Sequence, residues 1–148
     1  MDRRSLLKMT AFAASAGLLG LAAPTKLMAR PKSIKMRELY NKDLSFSDIA
    51  TAHEGKIIAV NGFMAPPLKA ESKFFVLTKM PMAVCPFCEP DTDWPDDILA
   101  IYTDRIVDVL PFNKKIIVKG RLALGGYQDP ETGFYSMVRL EHAKYEIA

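Results

Sequence analysis

The chain has 148 residues, 49% of them hydrophobic, with 20 Lys+Arg against 17 Asp+Glu for a formal charge of +3. Four of those cations and one of the anions lie in residues 1–29, which leaves 16 of each sign and no net charge beyond them. That balance carries no footprint for nucleic acid or acidic lipid, and the length suits one domain with a single core.

Met1-Asp2-Arg3-Arg4-Ser5-Leu6-Leu7-Lys8 precedes an apolar run from Met9 to Ala23 that is rich in Ala, Gly and Leu. A charged start, a short apolar core and small residues behind it form a bacterial export signal. Arg3-Arg4 followed by Leu6-Leu7-Lys8 resembles the twin-arginine signal, and the mild hydrophobicity of the core fits that route. The run of 15 residues is shorter than the roughly 20 that span a bilayer as a helix. Both Gly20-Leu21-Ala22 and Leu27-Met28-Ala29 end in a small residue. Residues 1–29 are therefore expected to be the signal, recognised by the twin-arginine export machinery, with the mature chain in the periplasm. No cysteine lies near either candidate cleavage point, so a lipid anchor is not expected.

Residues 30–44 are polar and basic without a clear period, and are expected to form an exposed lead-in that touches the domain at Leu39 and Tyr40. From Ser45 to Gly55 the pattern predicts a short helix, capped by Ser45 or Ser47 and ended by Gly55 in a left-handed turn. His53 falls in its last turn, where a positive charge meets the carbonyl end of the helix. Five strands follow. Lys56 to Met64 is the first, with Gly62 expected to mark a bulge or sharp bend. The others are Lys73 to Thr78, Asp97 to Tyr102, Lys114 to Leu124, and Phe134 to Ile147, with a turn cluster over 125–133 before the last. No helix of crossover length separates them, which argues against a parallel α/β plan. Residues 45–148 are expected to form a mainly β domain, a small five-stranded barrel or rolled sheet like the oligonucleotide/oligosaccharide-binding (OB) barrel, with one short N-terminal helix.

The connection between the second and third strands holds both cysteines and the single tryptophan, in Cys85-Pro86-Phe87-Cys88-Glu89-Pro90-Asp91-Thr92-Asp93-Trp94. Its Cys-x-x-Cys spacing admits three chemistries. Thiol–disulfide exchange needs the first thiol at a helix N-terminus. Here Pro90 and Pro95 follow within ten residues, each costing a helix interior roughly 3 kcal/mol, and the aspartates would raise a neighbouring thiol's pKa. A metal site is the second reading: two thiolates chelate a transition metal such as zinc, and further ligands come from Asp91, Asp93, His53, His142, a partner chain or water. His142 is the better histidine, and its alternation with Val138 and Leu140 places it on an apolar face. The third reading is a local Cys85–Cys88 disulfide that stiffens a proline-rich loop and presents a rim to a partner.

The acidic run Asp91-Thr92-Asp93 with Asp96-Asp97 lacks the central glycine and terminal glutamate of a calcium loop. With two histidines, no Gly-x-Ser-x-Gly and no phosphate-binding glycine loop, the sequence offers no nucleophile–base constellation, and the reading leans away from an enzyme.

Several stretches recur together in a known order: Gly55-Lys56-Ile57-Ile58-Ala59-Val60-Asn61-Gly62-Phe63-Met64-Ala65-Pro66-Pro67-Leu68, then Phe75-Val76-Leu77, a cysteine with a proline-rich loop, Ile98-Leu99-Ala100-Ile101-Tyr102, Val118-Lys119-Gly120-Arg121-Leu122 and Tyr145-Glu146-Ile147. From about Ser45 to Ile147 this resembles a family of small exported bacterial proteins of unassigned function, with an OB-like barrel, sometimes found beside transport permeases linked to metal handling. That family usually carries a cysteine, often a histidine, and prolines in the loop after the second strand. The chain matches at Cys85, Pro86 and Pro90, and departs by adding Cys88 and lacking a histidine there. The resemblance implies an accessory role in metal handling, with a membrane permease or another periplasmic protein as partner. The expectation is an exported binding protein that holds a transition metal, zinc favoured, through Cys85 and Cys88, with Asp91 or His142 completing the set. A structural module with a local disulfide and a periplasmic redox protein are the alternatives.

Overall fold

Phe74-Phe75-Val76-Leu77 is apolar at every position, a pattern that suits a strand covered on both faces, and in the computed structural model every residue of this strand is buried. The structure describes residues 30–83, Pro95 and residues 97–148. In chain order the elements are β1 (Lys32–Ser33), a 3₁₀ turn (Met36–Leu39), α1 (Asp48–His53), β2 (Ile57–Met64), β3 (Phe74–Thr78), β4 (Ile98–Thr103), β5 (Lys115–Gln128) and β6 (Tyr135–Ile147).

The strands form one six-stranded mixed sheet in the order β1-β2-β3-β4-β6-β5, and β2 also pairs with β5. Two neighbours are parallel, β1 with β2 and β4 with β6, and the rest antiparallel. The domain is mainly β with very little helix, as expected, but the five-stranded barrel or rolled sheet is a six-stranded mixed sheet and not a closed barrel. The added strand, Lys32–Ser33, is too short and too polar to leave a period-two signal. The expected closure is also incomplete: β2 matches β5 from Ile57↔Arg121 to Phe63↔Lys115, but meets β3 only at Phe63↔Thr78 and Met64↔Leu77.

Alternation along the strands builds the core. Ile58, Val60 and Met64 of β2 meet Phe75 and Leu77 of β3, Leu99 and Ile101 of β4, Ile116, Val118 and Leu122 of β5, and Val138 and Leu140 of β6. Phe74 and Val76 on the opposite face of β3 join Ile98, Ala100 and Phe134 in a smaller cluster.

The stretch expected to be an exposed lead-in is woven into this core. Ile34, Met36, Leu39 and Tyr40 are buried, and the Ile34 amide donates to Ala59 O at 2.9 Å. Lysines and arginines between these residues keep their charges in water, which hides the apolar set in a basic composition. The helix is shorter than expected. Of its two candidate caps Ser47 is the one used: its Oγ accepts from the Ala50 amide at 3.1 Å and donates to Glu38 O at 2.6 Å. Gly55 ends the segment at φ +76°.

Gly62 makes no bulge, because the β2–β5 register runs through it unbroken. It permits a close crossing instead: a Cβ there would lie 2.7 Å from Thr78 O and 2.8 Å from Leu77 Cγ. The fourth of the expected strands runs on through Gly125-Gly126 to Gln128, with the register shifting between Leu124 and Tyr127. Asp129 then closes the hairpin, its Oδ1 accepting from the Glu131 amide at 3.0 Å and its Oδ2 from the Thr132 hydroxyl at 2.8 Å.

Candidate functional site

Cys85, Cys88 and Asp91, the core of the expected metal site, lie outside the described residues, as do Asp93 and Trp94. The structure does describe the stem that carries them. The Lys79 amide donates to Asp97 O at 2.9 Å, so the strands β3 and β4 are tied together where the connection leaves and returns. Thr78 Oγ lies 2.7 Å from Met80 O and 3.2 Å from Phe63 O, which anchors the outgoing limb to β2. On the returning limb Asp97 is half-buried, and its Oδ1 has no hydrogen-bond partner among the described residues. A buried carboxylate oxygen without a donor is costly, and it is a natural oxygen ligand for a cation.

His142 is placed differently from its sequence expectation. Val138 and Leu140 are fully buried, and strict alternation would send His142 after them into the core. A bulge intervenes. Arg121 faces Glu141 and Lys119 faces Lys144, so two residues of β6, His142 and Ala143, stand opposite Gly120 alone. His142 adopts φ +50°, its side chain turns outward, and Ala143 takes the inward position. Close packing of Gly120 fits this geometry: a Cβ there would lie 3.0 Å from Leu140 Cβ and 3.1 Å from Ala143 Cβ. The apolar-face placement of His142 is thus corrected to an exposed one.

Turned outward, His142 Nδ1 lies 2.7 Å from Asp104 Oδ1 at the end of β4. Both side chains are about two-thirds exposed, at 63% and 66%. The pairing fixes the ring orientation and points Nε2 away from Asp104. The stem of the cysteine connection is at the other end of β4, at Ile98, about 17 Å of strand away. The structure therefore brings His142 together with Asp104, and not with the described base of the cysteine loop. His53 keeps its local role, its Nδ1 2.7 Å from the Ile49 carbonyl in α1. Among the described residues no group of three or more His, Cys, Asp or Glu side chains could hold a metal ion.

Around His142 the sheet carries a polar ladder. Glu141 accepts from Arg121 Nη2 at 2.8 Å and from Arg139 Nε at 3.1 Å. Those bonds, Arg121 first, hold its carboxyl below the usual glutamate range against the opposing effect of burial. Arg139 also donates from Nη1 to Gly125 O at 3.0 Å and sits 4.8 Å from the centre of the Tyr127 ring. Tyr127 meets Tyr102 edge-on at 5.7 Å. The Tyr102 hydroxyl is buried without a partner among the described residues, and burial followed by the nearby Asp129 charge raises its pKa, so it stays a protonated donor.

A second side-chain clasp lies three residues beyond the first. The Tyr145 hydroxyl accepts from the Asp108 amide at 2.7 Å and donates to Asp108 O at 2.9 Å. The segment Asp104–Asp108 is thereby held to β6 at both ends, and a cleft of ≈ 670 Å³ lies between them, lined by Thr103, Arg105, Ile106, Ala143 and Lys144 among others. Sequence reading missed Asp104 and Asp108 because each pairs with a residue 37 or 38 positions away, and no local pattern announces such a pair.

No protein-family model matches the chain, and no curated protein matches it in sequence. In structure it is similar to a DUF3299 family protein from Pseudomonas aeruginosa PAO1, known from a crystal structure at 2.45 Å resolution, with a TM-score of 0.53 and 15% sequence identity. The match covers 81% of this chain and 97% of that one. At that identity the likeness concerns the fold.

Proposed function

We propose that the chain is an exported periplasmic binding protein whose Cys85-Pro86-Phe87-Cys88 loop holds a transition metal, zinc favoured, on an OB-like frame. The observation that carries this reading is the loop itself. A long connection in a small β domain, closed at its stem by the Lys79–Asp97 backbone bond, presents two thiols at chelating spacing. The pairing of β2 with both β3 and β5 supports the OB-like frame. The twin-arginine pattern of residues 1–29 supports export, a route that carries folded proteins and so allows metal to be loaded beforehand.

Two soft sulfur ligands need completion by other donors. Asp97 Oδ1 at the foot of the loop, without a partner among the described residues, favours a carboxylate from this acidic stretch, Asp91 or Asp97, over His142, which is committed to Asp104. When bound, zinc would supply a closed structural tie or a transferable cargo; either use requires Cys85 and Cys88 as thiolates.

The test is to purify the protein under reducing conditions in metal-free buffer and measure bound metal and free thiols together. About one zinc per chain, lost in a Cys85→Ser/Cys88→Ser variant, supports the proposal. Absence of metal with an inert disulfide moves the reading to a structural module. Absence of metal with a disulfide that turns over against a dithiol moves it to a redox protein.

A further inference from the structure

We propose that the end of the sheet carrying loops 65–73 and 104–114 docks on a lipid bilayer, its apolar side chains entering the interface and its lysines meeting the headgroups. The surface does not depend on the cysteine loop. Topology gathers it: β2 is antiparallel to β3 and to β5, and β3 to β4, so the β2–β3 and β4–β5 connections emerge at one end. The cysteine connection leaves from the other end, at the Thr78↔Ile98 pair. The two loops are also bonded to each other, the Val107 amide donating to Ser72 O and the Thr103 amide to Lys73 O, each at 2.9 Å.

The first support is where the loops put their apolar groups. Val107 is buried and Leu110 packs against the core, which anchors loop 104–114 along its middle. Ile106, Val109 and Phe112 fall at three-residue intervals around those anchors and are 54%, 63% and 41% exposed. Leu68 on the other loop is 42% exposed. Val109 shares a cleft with Pro67 and Lys69, so the two loops present one continuous surface. Folding is served by Val107 and Leu110; polar side chains would suit the four outward positions equally well unless something apolar meets them.

The second support is charge. These loops and the first residue of β5 carry five exposed cations, Lys69, Lys73, Arg105, Lys114 and Lys115, against three acids, Glu71, Asp104 and Asp108. Asp104 already faces His142 at 2.7 Å, and none of the five cations is in an ion pair among the described residues. Residues 30–148 are neutral as a whole, so the excess is local to this end. Four of the five are lysines, a residue depleted from protein–protein interfaces and favourable beside acidic lipid headgroups. Their aliphatic stems can lie along an apolar layer while the ammonium groups stay in water. Exposed aliphatic and aromatic tips among lysines therefore fit a bilayer better than a protein partner.

The experiment follows backbone amide signals of the full chain by NMR, with bicelles of phosphatidylcholine and phosphatidylglycerol that carry a trace of nitroxide-labelled lipid. Paramagnetic broadening of residues 66–72 and 105–115 is expected, with the amides of Lys79 and Asp97 unaffected. Val109→Ser/Phe112→Ser should weaken bilayer binding through these loops about tenfold or more. Both side chains are exposed, and an unchanged amide spectrum elsewhere verifies the fold. Met80→Ser removes a side chain that is 64% exposed at the far end, and should leave the affinity unchanged. Lys114→Gln/Lys115→Gln should weaken binding to the mixed bicelles and leave binding to phosphatidylcholine alone as it was. Broadening that is absent, confined to residues 1–29 or spread evenly over the surface overturns the proposal, as does broadening that survives Val109→Ser/Phe112→Ser. Burial of the two loops in a dimer that does not bind the bicelles also overturns it, and assigns the surface to a second copy of the chain.

Discussion

His142 and Asp104 meet at 2.7 Å because a single extra residue in β6 reverses which side chains face the core. Without the bulge, His142 would follow Leu140 inward and Ala143 would point to water. The cost is a histidine at φ +50°, a region that side chains with a Cβ enter reluctantly and β-branched ones hardly at all.

That geometry gives a paired expectation. His142→Gly should stay within about 0.5 kcal/mol of the parent, since relief at positive φ offsets loss of an exposed contact. His142→Val should lose about 1–2 kcal/mol, because a β-branched residue is strained in the left-handed region. Urea unfolding of the two variants decides it. Equal losses would mean that the side-chain contact, and not the backbone conformation, dominates at this position.

Leu39 tests whether the stretch before the helix belongs to the core. It is fully buried, in contact with the cluster that also holds Ala50 and the strand residues. Leu39→Ala should destabilise the domain by about 2–4 kcal/mol, as cavity formation in a packed core does. A change within about 0.5 kcal/mol, the range of surface substitutions, would return residues 30–44 to the status of an exposed lead-in.

The strands were legible where one physical rule dominates. Ile57–Met64, Phe74–Thr78 and Ile98–Thr103 each fall within a residue or so of their expected bounds, because β-branched and aromatic runs bounded by turn residues have few alternatives. Three features were not legible, for three different reasons. Lys32–Ser33 is a strand only because Ala59 and Ile58 offer an open edge to it. His142 reads as inward because alternation is a local rule, and a bulge is set by the packing of Gly120 against Leu140 and Ala143. The Asp104–Asp108 clasps join residues far apart in sequence, and a single sequence gives no signal for them. The cysteine loop was legible as a chemical motif from spacing alone, and the described stem adds Asp97 to its candidate donors.

Gly62 carries a sharper expectation than a bulge would. Its neighbours across the crossing are the Thr78 carbonyl and the Leu77 side chain, at 2.7 and 2.8 Å from where a Cβ would stand. The first is backbone in β3 and cannot step aside without disturbing the Phe63↔Thr78 and Met64↔Leu77 pairs. Gly62→Ala should therefore cost about 2 kcal/mol or more. Denaturant unfolding with an unchanged m-value would confirm a native-state clash; a neutral result would show that β2 and β3 are further apart than 2.7 Å implies.

Glu141 contributes to the acid limb of stability. Arg121 and Arg139 hold its carboxyl below the usual range in the folded chain, while in the unfolded chain it titrates at about 4.3. The folded form therefore binds this proton less readily than the unfolded one. Its contribution is complete above the unfolded pKa and is lost as pH falls through the lower folded value. Glu141 is partly exposed, with a side-chain accessibility of 30%, and solvent screening keeps the effect modest. Glu141→Gln should lower stability slightly at pH 7 and flatten its decline below about pH 4.3, with parent and variant converging in acid. Parallel unfolding curves for the two proteins from pH 7 down to pH 3, with a constant gap between them, would show that the Arg121–Glu141–Arg139 ladder contributes through shape and not through charge.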